Sequence, residues 1–173
     1  DLGDVDCIFL TGDLAWSGQD AEYQRFEQLV LHPLRDVDGL RSARVFTVPG
    51  NHDLDCDKAL PVAWDALGSQ RQSMFFASTA QALREPRSRA FEAYSKFVAR
   101  NGIDGVDPVR DLFAAYEVES TCGTVQIVTL NTSLLSDKCW SDEQKLPAPT
   151  PALREALDRP GDYHLRFVLG HHP

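Results

Sequence analysis

Three features are missing from this sequence, and each absence removes a class of function. No apolar run approaches the ~20 residues that a membrane-spanning helix needs. No two cysteines form a Cys-x-x-Cys pair, which excludes the spacings of zinc fingers and thioredoxin-type redox sites; the cysteines are Cys7, Cys56, Cys122 and Cys139. An excess of basic residues is also missing, because 17 Lys and Arg face 26 Asp and Glu. We therefore expect a cytoplasmic protein with reduced thiols and no membrane partner.

The formal net charge of -9 bears on the possible partners. Without a basic stripe, binding of long nucleic acids through their phosphates is disfavoured, although a nuclease stays an open alternative. Small anionic substrates remain compatible with an acidic chain, because bound cations dominate the local field of a catalytic site.

The length of 173 residues favours one domain over 1–173. One region, at about 54–109, is long, polar and locally helical. We interpret it as a helical or loop excursion that covers or borders a site, and not as a second domain.

Short apolar runs rich in β-branched and aromatic residues predict buried strands at 7–10, 45–48, 125–130 and 167–169. Alternation over 116–119 predicts a strand that pairs with 125–130 through a turn near Cys122. Apolar stripes predict helices from Tyr23 to Pro33, over 91–98 and over 151–159. Strands that alternate with helices indicate an α/β fold.

Each of four predicted strands is followed by residues that could ligate a metal. Asp13 follows the first strand, 51–53 the second, Asn131 the third and 171–172 the fourth. Ligands bind outside the carboxyl ends of strands in open α/β sheets, so we expect these side chains to meet. Each has a structural explanation when taken alone: a helix cap for Asp13, a left-handed turn for Asn51, a satisfied core histidine for His171 or His172. Their joint occurrence favours a site.

The ligand types indicate the chemistry of that site. Carboxylate, amide oxygen and imidazole suit divalent cations such as manganese, iron or zinc. No thiolate accompanies them, which favours a hydrolytic centre over a structural zinc site.

The blocks Gly12-Asp13, Gly50-Asn51-His52-Asp53 and Gly170-His171-His172-Pro173 resemble the calcineurin-like metallophosphoesterase superfamily. The pattern of that family is Asp-x-His, Gly-Asp, Gly-Asn-His-Asp/Glu, His and Gly-His-x-His. The Gly-Asn-His-Asp block is the most specific match, and the likeness runs from Leu10 to Pro173 apart from 54–109. It implies a metallophosphoesterase-type αββα sandwich of mixed sheets with flanking helices, incomplete in this chain.

A narrower likeness concerns the loop after the first strand. The run from Gly12 to Gly18, Gly-Asp-Leu-Ala-Trp-Ser-Gly, followed by Glu22-Tyr23, is similar to the opening of cyclic-nucleotide phosphodiesterase-type members. The His-His-Pro run at 171–173 is similar to their corresponding block.

The resemblance implies a role for each matched residue. Asp13 would bridge two divalent metal ions, and Asn51 and His171 would ligate the second of them. His52 would stabilise or protonate phosphate oxygens, and Asp53 would orient His52. Two metals about 3.5–4 Å apart would generate the hydroxide that attacks phosphorus.

Two blocks of the family pattern, Asp-x-His and Gly-His-x-His, have no counterpart in these residues. We therefore expect a domain that is cut short at both ends, belongs to a larger chain and is poorly active alone. The leading hypothesis is a phosphoesterase that prefers phosphodiesters, with a small phosphate ester or nucleotide as substrate. The alternative is a degenerate metallophosphoesterase fold that serves as a sensing or protein-interaction module.

Overall fold

The computed structural model describes residues 5–59, 75–77, 80–120, 123–136 and 149–172. Cys122, Cys139 and Pro173 lie outside these ranges. The strands are β1 (Cys7–Leu10), β2 (Arg44–Thr47), β3 (Asp104–Gly105), β4 (Phe113–Ser120), β5 (Gly123–Leu130) and β6 (Leu165–Leu169). The helices are α1 (Asp20–Phe26), a π-helical segment (Glu27–Leu31), α2 (His32–Asp36), α3 (Gln81–Ser88), a 3-10 turn (Arg89–Phe91), α4 (Glu92–Asn101) and α5 (Thr150–Leu157).

The strands form two three-stranded sheets, and this confirms the predicted α/β class. In the first sheet the order is β1-β2-β3 and both pairs are parallel. In the second sheet β4 is antiparallel to β5, as the alternation predicted, and β6 is parallel to β5. Parallel neighbours need long crossovers, and helices supply them here.

The two sheets pack face to face because successive residues of a strand point to opposite sides. Phe46 is fully buried between the sheets and contacts the rings of Phe9 and Tyr116. Its neighbour Val45 points the other way, into the cluster that the helices form over the first sheet. Ile127 of β5 likewise faces Phe46. The result is a helix, sheet, sheet, helix arrangement, in which α5 lies against β4 and β5.

The helices of the 81–101 interval pack into the same core as α1. Tyr94 and Phe97 of α4 are fully buried, and the Phe97 ring stacks on Tyr23 at a centroid distance of 5.2 Å. After α4, Gly102 takes the left-handed conformation with a φ of 59° and ends the helix. The strand β3 then pairs with β2.

The prediction that the first helix ends at Pro33 is wrong, because the helical turns continue to Asp36. A proline has no N–H to donate and its ring crowds the preceding turn of an α-helix. Here the chain widens into the π-helical segment just before the proline, and the N–H of His32 donates to the carbonyl of Glu27, five residues back. A local π turn of this kind accommodates the proline within the helix.

No helix in the described ranges is both long enough and apolar enough to cross a membrane.

The strands β1 and β6 lie beside each other at one side of the sandwich. The rings of Phe9 and Phe167 are 5.7 Å apart, and the two side chains are 36% and 40% exposed. The contact aligns the carboxyl ends of β1 and β2 with that of β6, so the loops that follow them meet at one edge.

Replacement of Phe46 by Ala is expected to lower the free energy of unfolding by about 3–5 kcal/mol, because it leaves a cavity between two sheets that cannot collapse on it. Phe167→Ala is the matched control: this ring is 40% exposed, so the loss should be less than half as large. Urea unfolding followed by circular dichroism measures both. Equal losses would contradict the assignment of Phe46 to the inter-sheet core.

Candidate metal centre

Two glycines allow the loops after β1 and β2 to touch backbone to backbone. A Cβ on Gly12 would lie 2.7 Å from both the Gly50 nitrogen and the His171 Nδ1 atom. A Cβ on Gly50 would overlap the carboxylate of Asp13. Gly12 also has a φ of 94°, which favours glycine. The polar residues beside these glycines are thereby brought within hydrogen-bonding distance.

The predicted ligands Asp13, Asn51 and His171 meet at this contact. The Nε2 atom of His171 lies 3.1 Å from Asn51 Oδ1 and 3.4 Å from Asp13 Oδ2. Asp13 has a φ of 55°, a left-handed conformation that Asp tolerates better than most residues and that often marks functional sites. The Asp13 and His171 side chains are 35% and 18% exposed, so the cluster is open to an ion.

The orientation of the His171 ring is determined by its backbone neighbours. Its Nδ1 atom lies 2.6 Å from the carbonyl oxygen of Thr11. A carbonyl oxygen can only accept, so Nδ1 carries the proton and Nε2 of the neutral ring is an acceptor. The Oγ1 atom of Thr132 accepts hydrogen bonds from the backbone N–H groups of both His171 and His172, each at 3.0 Å. The end of β5 thus positions the loop that follows β6.

This arrangement directs three acceptors at one another. They are the carboxylate of Asp13, the amide oxygen of Asn51 and the lone pair of His171 Nε2. Three converging acceptors repel one another until a cation or a shared proton lies among them, and a metal ion satisfies all three together. The donor set, two oxygens and one imidazole nitrogen, fits manganese, iron or zinc. In the part of the chain that the structure describes, no group of three or more His, Cys, Asp and Glu side chains could hold a metal. The set at this contact has two such side chains, Asp13 and His171, and an amide as its third member.

The second histidine of the pair takes a different position. The ring of His172 packs edge-on against His171 at 4.7 Å. Burial, and then the neighbouring His171, lower the pKa of His172, so its ring is held neutral. The structure therefore directs His171, and not His172, at Asp13 and Asn51.

His52 lies on the other side of Asp13. Its backbone N–H donates to Asp13 Oδ1 at 2.9 Å. Its Nδ1 atom lies 2.8 Å from the carbonyl oxygen of Trp16, and its ring stacks on the Trp16 indole at a centroid distance of 4.6 Å. The Nδ1 proton is therefore engaged with Trp16, and Nε2 is left for a ligand.

Asp53 has a different role from the one that the sequence suggested. Its Oδ1 atom accepts hydrogen bonds from the N–H groups of Leu14 and Ala15 and from the Tyr23 hydroxyl, and its Oδ2 atom accepts from the Gly50 N–H. The His52 ring is oriented by the Trp16 carbonyl instead. Asp53 is fully buried, and burial raises the pKa of its carboxyl while these hydrogen bonds oppose that rise. It joins the β1 loop, the β2 loop and α1.

Sequence reasoning missed the supporting residues Thr132 and Tyr23. Thr132 lies two residues after the predicted strand 125–130, and that position was the one signal that could have marked it as a site residue. Tyr23 had no such signal, because it belongs to the apolar stripe of a predicted helix. Asn131, which the sequence placed at a strand end, is buried and its amide oxygen accepts the Ser133 N–H at 3.2 Å. It thus stabilises the turn after β5.

Asp53→Asn should destabilise the fold by about 2–4 kcal/mol, because an amide cannot accept at both positions and one buried N–H loses its partner. Tyr23→Phe is the control, since it removes one of the donors and should cost only about 1 kcal/mol. Chemical denaturation of both variants measures the difference. If Asp53→Asn left the free energy of unfolding unchanged, the carboxylate would not be what holds the loops together.

Gly50→Ala should weaken Mn²⁺ binding, because the new Cβ displaces the Asp13 carboxylate; displacement of groups around a metal typically costs on the order of 10–100-fold in affinity. Gly102→Ala is the control: it also replaces a glycine, but nothing lies within 4 Å of the added Cβ. It should cost about 1 kcal/mol of stability through its positive φ and leave Mn²⁺ affinity unchanged. Calorimetric titration with Mn²⁺ compares them. Unchanged Mn²⁺ affinity in Gly50→Ala would show that the Asp13 carboxylate does not contribute to metal binding.

Comparison with known proteins bears on this centre. A family model described as calcineurin-like phosphoesterase matches residues 1–173. The uncharacterized metallophosphoesterase-like protein YydB of Bacillus subtilis (strain 168) is 27% identical to this chain over an alignment 179 residues long. The alignment covers 98% of this chain and 35% of that protein. The chain thus spans about a third of the length of this curated relative. No solved structure gives a significant match.

Proposed function

The chain belongs to the calcineurin-like phosphoesterase family, and from this premise we propose that the whole protein hydrolyses phosphate esters with divalent metal ions held at Asp13, Asn51 and His171. The observation that carries the proposal is the convergence of the Asp13 carboxylate, the Asn51 amide oxygen and the His171 Nε2 atom, which are three acceptors when the ring is neutral. A bound metal ion would satisfy all three, and the same ion would attract the anionic phosphate to an acidic chain.

By the family resemblance the site would take two metal ions, with manganese, iron or zinc as candidates. When bound, they would supply Lewis-acid polarisation of a phosphoryl oxygen and activation of a water molecule. Asp13 would help to hold them, since its Oδ1 atom faces the His52 backbone and its Oδ2 atom faces His171.

His52 is the group suited to act on the substrate. Its Nδ1 proton is engaged with the Trp16 carbonyl, so the ring is fixed and Nε2 is available. From that atom it can hold a proton against a phosphate oxygen or give one to the leaving alkoxide. Positioned acid–base groups of this kind typically contribute ~10²–10⁴-fold to a rate.

Phosphodiesters are the favoured substrates. The cavity beside His52 is lined by neutral and acidic side chains, namely Trp16, Ser17, Gln19, His52, Asp55, Cys56 and Asp57. A monoester dianion is usually recognised by Arg or Lys. The lining residues that the structure describes include neither type, which suits the single charge of a diester. The similarity of 12–18 to cyclic-nucleotide phosphodiesterase-type members points the same way.

The full-length protein should therefore hydrolyse bis(p-nitrophenyl) phosphate only with Mn²⁺ or a similar ion. Asn51→Ala and His171→Ala should lose both metal affinity and turnover, because each removes a ligand. His52→Ala should keep metal affinity while kcat falls by ~10²–10⁴-fold. Steady-state rates combined with Mn²⁺ titration separate these effects.

His32→Ala is the matched control, because this histidine is exposed on α2 and should leave both measurements unchanged. Normal turnover by His171→Ala would overturn the assigned ligand set. Absence of both metal binding and turnover in the wild-type protein would favour the sensing or protein-interaction module.

A further inference from the structure

A shallow groove of about 560 Å³ opens beside the candidate metal centre. The Trp16–Gln19 turn, the Asp55–Asp57 turn and His52 line it. The backbone N–H of His52 also donates to Asp13, so His52 connects the groove to the candidate metal centre.

Trp16 presents an unusual surface in this groove. The residue is 76% exposed, more than any other large apolar residue in the part of the chain that the structure describes. One part of its indole stacks on the His52 ring, with planes inclined by 26°. The same residue lines the groove, where its exposed surface is accessible to a ligand.

The loop that carries Trp16 is held in place, although its side chain is exposed. Glu22 accepts hydrogen bonds from the N–H groups of Ser17 and Gln19 and from the Ser17 hydroxyl, each at 3.0 Å. Burial opposes ionisation of Glu22, but the backbone bonds from Gln19 and Ser17 outweigh it and lower the pKa of its carboxyl.

On its other side the same loop presses against the chain after His52. Gly18 has a φ of 69°, and a Cβ there would lie 2.6 Å from the Asp55 nitrogen. An indole on so constrained a turn loses little freedom when a ligand stacks on it, which favours binding.

The opposite wall does not repel an anion as strongly as its sequence suggests. The carboxylate of Asp55 pairs with the Lys58 ammonium at 2.9 Å. Asp57 is exposed to water, where charge is screened. The groove therefore combines a flat apolar surface with a largely compensated wall.

We propose that the Trp16 indole is a specificity-determining surface that stacks on a planar group of the phosphate ester, either a nucleobase or an aryl ring. The inference rests on the proposed function, because it places the phosphate of the same ligand at the metal centre. Every base and aryl ring offers a π face, and stacking on an aromatic side chain is worth enough to change affinity by roughly ten-fold.

Direct binding to the Mn²⁺-loaded full-length protein tests this independently of turnover. Isothermal titration with AMP and with ribose 5-phosphate, which are monoester products of diester hydrolysis, isolates the base, because the two ligands share sugar and phosphate. Phenyl phosphate and methyl phosphate form the corresponding pair for an aryl ring. The wild-type protein should prefer the planar member of at least one pair by roughly ten-fold.

Trp16→Ala should abolish that preference, so that both members of the pair bind equally. Trp16→Phe should retain part of it because a phenyl ring also stacks. The Trp16 carbonyl, and with it the hydrogen bond to His52, is present in both variants. Leu29→Ala, which removes an exposed apolar side chain from the π-helical segment, should leave the preference unchanged.

The outcomes distinguish a nucleobase from an aryl ring, and failure of the stacking proposal from failure of the proposed hydrolysis. A preference in the AMP pair alone identifies a nucleobase, and one in the phenyl pair alone an aryl ring. Equal binding within both pairs, or an unchanged preference in Trp16→Ala, overturns the assignment of Trp16 even if the Mn²⁺-dependent hydrolysis is found. A Trp16-dependent preference without any turnover would uphold the stacking surface while the proposed hydrolysis fails.

Discussion

The buried carboxylate of Asp53 is the interaction on which the site geometry depends. It accepts hydrogen bonds from the loop after β1, from Gly50 in the loop after β2 and from Tyr23 on α1. Each of those N–H and hydroxyl donors would otherwise be buried without a partner, which is costly in an apolar interior. Because one side chain satisfies them all, the two loops have a single favourable separation, and Asp13 and Asn51 are held at that separation.

Glycine makes this separation short enough for metal chemistry. Neither Gly12 nor Gly50 has space for a Cβ, so the loops approach at backbone distance and His171 reaches both Asp13 and Asn51. The Thr11 carbonyl then determines which nitrogen of His171 faces the cluster. A set of acceptors oriented this way is stabilised by positive charge among them. The electrostatics and the packing are thus both consistent with the proposed cation site at the edge where the strands end.

The His52 ring is oriented by a residue distant in sequence, and not by its neighbour Asp53. Neighbouring residues on a tight turn point in different directions, so Asp53 points into the core while the His52 ring turns towards Trp16. The ring is consequently oriented by a neutral carbonyl and an indole face. The same contact joins His52, the residue proposed to act on the substrate, to Trp16, the residue proposed to select it.

The sequence by itself determined the strands other than the two-residue β3, the α/β class and the residues that follow the strand ends, because short apolar runs, alternation and glycine-bounded motifs are local signals. It also indicated the family, through Gly50-Asn51-His52-Asp53 in particular. It did not reveal the π-helical segment that carries the first helix past Pro33, since that depends on hydrogen bonds shifted by one residue. The partners of Asp53, the contact of Thr132 with the loop after β6 and the stacking of Trp16 on His52 were decided by the tertiary structure. Apart from the short-range bond from Gly50 to Asp53, each of these contacts joins residues at least 30 positions apart in the chain, and only the packing of two sheets and their helices brings such residues together.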